Sequence, residues 1–147
     1  MVRLGCMAYL RAGSEMSPSE HGIVTGAWGV DAAGRDTLTF FLHDSEGIQV
    51  LRDIFRRVAA TDLPIELTDI PQVDIPRTRV LIARLTKHPD KHVRRRKGNV
   101  VEWNGTVDDW STNADLLEPF LAGRRGHQFL SDDRWDDVVV IASFGES

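Results

Sequence analysis

The sequence predicts an α+β fold in a single domain, with a mainly antiparallel sheet and two principal helices packed on one face. Strand-like segments arrive in pairs separated by turn sequences, and only two segments repeat their apolar residues at helical spacing. A chain of 147 residues with 41% hydrophobic content can bury a core without metals or disulfides. We therefore expect one globular domain over residues 1–147, with residues 1–19 fraying because they are rich in small and polar side chains.

The first half of the chain predicts a hairpin and then an amphipathic helix. The strand-like stretches "HGIVTGAWGV" and "TLTFFL" flank the turn sequence "DAAGRD". The next segment, "HDSEGIQVLRDIFRRVAA", changes to helical period, with Asp44 or Ser45 as its N-cap. Its apolar face consists of Ile48, Leu51, Phe55 and Val58.

The second half predicts four more strands and one interrupted helix. Three prolines in "LPIELTDIPQVDIP" permit at most a short edge strand and a loop. The strands "TRVLIARL" and "NVVEW" are joined by the charged connection "KHPDKHVRRRKG", and "HQFL" and "DVVVIASF" end the chain. Between these pairs, Pro119 must kink or shorten a helix whose apolar residues are Trp110, Ala114, Leu117 and Leu121.

The net charge of −4 conceals a strong segregation of charge along the chain. Residues 77–98 contain nine Lys or Arg against one acid, whereas residues 101–147 contain ten acids against three arginines. Segregation of this kind bears on binding partners more than on fold.

The sequence contains no motif that identifies a reaction. A nucleophile elbow, a P-loop, a dinucleotide-binding glycine fingerprint and a zinc-ribbon cysteine set are all missing. His88 and His92 have the spacing of a helical metal pair, but Pro89 lies between them and the basic run that follows would repel a cation. We therefore expect a protein that is not an enzyme and that uses no cofactor and no metal.

The basic segment 87–97 is one candidate binding surface. Arg94, Arg95, Arg96 and Lys97 could hold phosphates, with counterion release supplying the affinity. The alternatives are a solvated hairpin and an intramolecular role, in which the basic segment lies near acidic surface and is partly neutralised by it.

The acidic stretch before the last strand is the other candidate surface. Asp132, Asp133, Asp136 and Asp137 surround Trp135, and one or two carboxylates would hydrate such a turn equally well. Trp135 could cap the edge of the sheet or act as an interface anchor, since aromatics ringed by polar residues recur as binding hot spots. We predict that these five residues face a partner.

The last third of the chain resembles small immunity proteins of bacterial polymorphic-toxin and contact-dependent inhibition systems. The shared features are a tryptophan-led helix with a Leu-Leu pair (Trp110, Leu116, Leu117), the motif "GHQFL" over residues 126–130, an acidic turn and an apolar final strand. The resemblance covers about 45 residues and implies a non-enzymatic protein that binds and blocks one cognate toxin domain, often a nuclease. Within "GHQFL" itself we expect a structural role, with His127 and Gln128 satisfying backbone groups at the end of the helix.

The leading hypothesis is therefore an immunity-type inhibitor that neutralises a cognate toxin through an acidic surface. The runner-up is a nucleic-acid- or phosphate-binding module that uses the basic segment 87–97, and a small enzyme comes third. We expect a cytoplasmic protein without a membrane partner, because Cys6 is the only cysteine and no apolar run approaches the ~20 residues of a membrane span.

Overall fold

A computed structural model describes residues 23–87, 92–131 and 134–146. The segment 1–19, which we expect to fray, lies outside the described residues. The strands of the described part are β1 Val24–Val30, β2 Asp36–Leu42, β3 Ile65–Glu66, β4 Val73–Asp74, β5 Val80–Leu85, β6 Val93–Arg96, β7 Val100–Gly105, β8 Gly126–Ser131 and β9 Val138–Phe144. Its α-helices are α1 Ser45–Ala59, α2 Val107–Leu116 and α3 Glu118–Leu121, and a short 3-10 helix covers Leu67–Asp69.

The predicted α+β class is confirmed, and the strands divide between two sheets. One sheet has the strand order β4-β1-β2-β9-β8 and the other has the order β3-β5-β7-β6. Four strand pairs are antiparallel and three are parallel, and each sheet contains pairs of both kinds. The apolar run of β9 follows from its central position between β2 and β8, where both faces of a strand are covered more fully than at an edge.

The predicted hairpin and first helix are confirmed. Strands β1 and β2 pair in antiparallel register from Val24 opposite Leu42 to Val30 opposite Asp36. Helix α1 begins after Asp44, whose side chain accepts a hydrogen bond from the backbone N–H of Gly47 at 2.9 Å. This contact satisfies one of the backbone donors left open at a helix start, as the sequence predicts.

The proline-rich segment and the basic segment are more regular than predicted. Two short edge strands, β3 and β4, form within the proline-rich segment, one in each sheet. In the basic segment Arg94, Arg95 and Arg96 belong to β6, an edge strand antiparallel to β7, rather than to a loop. Lys97, Gly98 and Asn99 connect β6 to β7, and Gly98 and Asn99 take positive φ (79° and 61°), a backbone conformation that glycine and asparagine tolerate best.

The second helix is interrupted at the predicted place. Helix α2 begins at a capping box in which Thr106 and Asp109 bond each other's backbone N–H groups. It ends at Leu116, and the one-turn helix α3 carries Pro119 in its first turn, where a missing N–H is tolerated. Gly123 then takes a positive φ of 94° at the exit from α3.

One hydrophobic core lies between the two sheets and the helices. At its centre the ring of Phe55 lies 5.4 Å from Trp103 and 5.7 Å from Trp110, and Trp103 lies 4.8 Å from Trp110. These three side chains are almost completely buried, as predicted. Trp28 is half-buried and packs against the core from its margin, where its indole N–H donates to the carbonyl of Pro76.

Arg52 belongs to the buried part of α1, although the sequence pattern places it on the polar side. It is 6% exposed, donates to the carbonyl of Ala114 at 3.3 Å and forms an ion pair with Glu118 at 2.9 Å. The arginine therefore ties α1 to the junction between α2 and α3, and it adds a second donor to a carbonyl in the last turn of α2, which also accepts from the N–H of Leu117.

Candidate functional site

The described part of the acidic stretch, residues 134–137, forms a turn before β9, against the edge of β6. Asp132 and Asp133 lie outside the described residues, so their predicted role in partner binding stays a prediction. We call residues 134–137 the acidic turn. Trp135 is 60% exposed, and the guanidinium of Arg134 lies 4.6 Å from the centre of its ring.

Asp136 does not face a partner, and the prediction that it does is wrong. Its side chain is buried, with the residue 6% exposed. One carboxylate oxygen accepts hydrogen bonds from the backbone N–H groups of His92 and Val93, both at 3.0 Å, and the other accepts from the Ser131 hydroxyl at 2.5 Å. A buried carboxylate is stable only when its oxygens are satisfied in this way, so Asp136 is a structural residue.

Asp137 extends the same attachment by two further bonds. Its carboxylate accepts from the backbone N–H of Arg95 at 2.9 Å, and its own N–H donates to the carbonyl of Val93 at 2.9 Å. The side chain is only half-buried. Together Asp136 and Asp137 use the free edge of β6, which would otherwise present unpaired backbone groups, and they hold the acidic turn in one position.

The basic residues of β6 pair with acids of the protein itself. Arg95 forms an ion pair with Asp36 at 2.5 Å, and Arg96 forms one with Glu102 at 3.1 Å. These contacts agree with the intramolecular interpretation of the basic segment. The same two carboxylates also bind arginines of β5 and its approach, Arg79 and Arg84, so positive charge remains in excess there.

Two of the four residues predicted to hold phosphates, Arg94 and Lys97, form no ion pair with another described residue. Residues 88–91 of the segment lie outside the described residues, among them His88, which has the spacing of a helical metal pair with His92. The runner-up hypothesis of phosphate binding therefore rests on fewer groups than the sequence offers.

A cleft of about 300 Å³ opens beside the acidic turn. One wall is a face of α2 that carries Asp109, Thr112, Asn113 and Leu116, at spacings of three and four residues. On the opposite side, Trp103 and Leu130 supply the apolar surface. The remaining residues of that side lie at or next to the ends of β6, β7 and β8, and they are His92, Asn104, Gly105 and Ser131.

The polar groups of the cleft are only partly satisfied. Asp109 accepts from the backbone N–H of Thr106 at 2.9 Å and lies 3.3 Å from the ring Nε2 of His92, using one carboxylate oxygen for both contacts. Asn113 is 6% exposed, yet its side chain makes no hydrogen bond to another described residue. Its amide is therefore open to hydrogen bonds with solvent or with a ligand in the cleft.

Sequence reasoning missed this cleft, although a signal was available. The apolar face of α2 is flanked by a second stripe in which Asp109 and Asn113 are one helical turn apart. A polar residue next to a core stripe is ordinary in a surface helix, however, and nothing local shows that His92 and Ser131 lie opposite.

His127 also departs from its predicted place at the end of the helix. It lies on β8, and its ring Nδ1 is 3.2 Å from a carboxylate oxygen of Glu146. The other oxygen of Glu146 accepts from the Ser143 hydroxyl at 2.7 Å, and these contacts lower the pKa of Glu146, with the Ser143 bond as the largest cause and the His127 bond next. His127 therefore fixes the end of β9 instead of satisfying the helix.

Searches for relatives and for metal or membrane sites add no identification. Comparison with protein-family models, curated proteins and solved structures found no match. Across the part of the chain that the structure describes, no three His, Cys, Asp or Glu side chains group as metal ligands. None of the described helices combines the length and the apolar character that crossing a membrane requires. The resemblance to immunity proteins thus depends on sequence motifs alone.

Proposed function

We propose that this protein is an immunity-type inhibitor that binds a cognate toxin domain through the acidic turn, with Trp135 as the anchor. The single observation that carries the proposal is the position of Trp135. An indole that is 60% exposed lies on a turn whose next two residues are bound to the backbone of β6. Exposed aromatics are costly in water and are enriched at the centres of protein interfaces.

Rigid attachment makes such an anchor effective. Binding costs about 0.5–1.5 kcal/mol for each flexible side chain that becomes immobilised, and ordering a loop adds to that cost. Because Asp136 and Asp137 already hold the acidic turn, less of this entropy remains to be lost when a partner covers Trp135. In this proposal the two aspartates hold the backbone next to Trp135 in place. The sequence predicts that they contact the partner directly, and this supporting role takes the place of that contact.

The charge of the C-terminal third favours a basic partner. Residues 101–147 contain ten acids and three arginines. An acidic surface speeds association with a basic cleft, such as the substrate cleft of a nuclease, and rejects acidic proteins. In this proposal the inhibitor acts in the cytoplasm, uses no catalysis and blocks the toxin by occlusion.

A growth assay with the toxin domain encoded beside this gene tests the proposal. The toxin is co-expressed with the wild-type protein or with Trp135→Ala. We expect the wild type to protect the cells and the variant to lose protection, with the dissociation rate of the purified complex raised at least tenfold.

Phe129→Ala is the matched control. Phe129 is also an exposed aromatic, 47% accessible, but it lies on β8, where it contacts the ring of His127 and lines a shallow depression with Phe41 and Ile141. This control should keep full protection. Full protection by folded Trp135→Ala, or equal losses in both variants, would contradict the assignment of Trp135 as the anchor.

A further inference from the structure

The cleft beside the acidic turn has the chemistry of a site for one positively charged side chain. Among the described residues of the lining, Asp109 alone carries a formal negative charge, and its side chain is 40% exposed, so the charge is accessible. The carboxylate oxygen that does not contact Thr106 and His92 has no hydrogen-bond partner among the described residues. A cation entering the cleft would meet this open oxygen.

The remaining lining supplies hydrogen-bond acceptors and an apolar floor. The amide of Asn113 and the hydroxyl of Thr112 lie on the same wall as Asp109 and can accept from a multivalent donor. Trp103 and Leu130 offer apolar surface for the aliphatic stem of a long side chain. A volume near 300 Å³ lies at the lower limit of ligand pockets, which suits a single side chain.

The cleft is directly linked to the acidic turn. Ser131, which lines the cleft, donates a hydrogen bond from its hydroxyl to Asp136, the residue after Trp135. Along these contacts only Asp136 separates Trp135 from the lining of the cleft, so a partner that covers Trp135 lies close to the cleft.

We infer that the cleft receives an arginine or lysine side chain of the bound partner, with Asp109 as the countercharge and Asn113 as a further acceptor on the same wall. This inference rests on the proposed function, since it assigns the partner a basic residue next to the group that contacts Trp135. A guanidinium is the better fit, because its five donors match several separate acceptors and an ammonium offers three.

A titration with a small probe tests the site without the partner. The probe is N-acetyl-arginine amide, followed by ¹H–¹⁵N NMR of the full chain. We expect saturable shifts at the side-chain amides of Asn113 and Asn104, with an affinity on the order of 1 mM. N-acetyl-citrulline amide has nearly the same shape without the charge, and it should bind at least tenfold more weakly.

Two substitutions locate the site, and a third controls for stability. Asn113→Leu fills the cleft with an apolar group of similar size and should abolish the shifts. Asp109→Asn removes the charge but keeps an oxygen that can bond the Thr106 N–H, so it should weaken binding at least tenfold. Thr106→Ala removes the other half of the capping box and leaves the charge of the cleft in place, so probe affinity should stay within about twofold, since exposed cap residues act mainly on helix stability.

The results separate this inference from the proposed function. Absence of saturable shifts, equal binding of the citrulline analogue, or undiminished binding to folded Asn113→Leu would each overturn the inference. If the probe binds as expected but folded Trp135→Ala still protects cells, the cation site stands and the anchor assignment fails. If Trp135→Ala loses protection and the probe does not bind, the anchor assignment stands and the cation site fails.

Discussion

In the acidic turn, the carboxylates of Asp136 and Asp137 bond backbone N–H groups of β6, whereas the guanidinium groups of Arg95 and Arg96 on β6 bond carboxylates of other strands. Both regions are dense in charge, and they touch each other. Their contact is nevertheless made through the backbone of the basic strand and not through its side chains. Arg95 makes both kinds of contact, because its backbone N–H donates to the carboxylate of Asp137 and its guanidinium bonds the carboxylate of Asp36.

The difference follows from side-chain length and burial. An aspartate is short, so it can be drawn into the protein and satisfy backbone donors at the cost of its own hydration. An arginine is long and keeps its charged group near solvent, where ion pairs contribute little. We therefore expect equal changes of charge in the two regions to have unequal effects on stability.

The largest expected effect is that of Asp136→Ala. The substitution leaves the N–H groups of His92 and Val93 and the hydroxyl of Ser131 without their acceptor. Losing charge-assisted bonds to buried donors should lower the free energy of unfolding by about 3 kcal/mol. Urea denaturation measures this loss.

Asp136→Asn and Ser131→Ala sharpen the same test. The asparagine keeps one oxygen that can accept from the two N–H groups, and Ser131→Ala removes a single bond, so each should cost about 1–2 kcal/mol. A loss below about 1 kcal/mol for Asp136→Ala would mean that its carboxylate is solvated. The sequence-based expectation that one or two carboxylates would serve this turn equally well therefore does not apply to Asp136, whose carboxylate bonds the backbone of another strand.

A smaller effect is expected for Arg95→Ala in the basic strand. The alanine keeps the backbone N–H that binds Asp137, and Asp36 keeps its second partner, Arg79. The lost ion pair involves a side chain that is 55% exposed, so the free energy of unfolding should fall by about 0.5 kcal/mol or less, and by still less at high salt.

Lys97→Ala is the matched control for the charge of Arg95. It removes one positive charge from the same hairpin at a position without an ion pair to another described residue. Its stability in urea should match that of the wild type. A loss above about 1.5 kcal/mol for Arg95→Ala would show that this guanidinium stabilises the fold as strongly as the buried carboxylate does.

The elements that the sequence predicts correctly are those whose cause is local. The N-cap at Asp44, the stripe through Phe55 and the interruption at Pro119 depend on neighbours within a few residues. The division into two sheets depends on which strands pair, and the parallel pairing of β9 with β2 joins segments at opposite ends of the described chain. Alternation of apolar residues carries no information about such a partner.

The acidic turn shows the same limit for the candidate site. The charged neighbours of Trp135 in the sequence predict that it is exposed. The same neighbours would predict that Asp136 and Asp137 are exposed as well, but Asp136 is buried and Asp137 is half-buried. Asp136 is buried because its acceptors meet N–H groups of residues 43 and 44 positions earlier. By contrast, β6 could have been recognised, since Gly98 and Asn99 together are a hairpin-turn signal.

The smallest expected effect concerns Glu146, a carboxylate that bonds side chains rather than backbone. Its pKa is lowered from the ordinary value of 4.5 by the hydrogen bond from Ser143 first and by His127 second. A depressed carboxyl pKa means that its contribution to stability is complete above the ordinary value and is lost as the pH falls through the lowered pKa. Acid should therefore release the end of β9 from β8.

Hydrogen exchange near the C-terminal end measures that release. In the wild type, the amide protection of residues at the β8–β9 junction should decline as the pH falls below the ordinary glutamate value of 4.5. Glu146→Gln should remove this pH dependence, because it cannot ionise, and Ser143→Ala should move the midpoint up towards the ordinary value, because the first cause of the shift is gone. Identical pH profiles for the wild type and Glu146→Gln would assign the release to another group. Because Glu146 is exposed, the loss of amide protection should stay confined to this junction. Asp136→Ala should instead lower the free energy of unfolding of the whole protein, because the carboxylate of Asp136 bonds buried backbone groups.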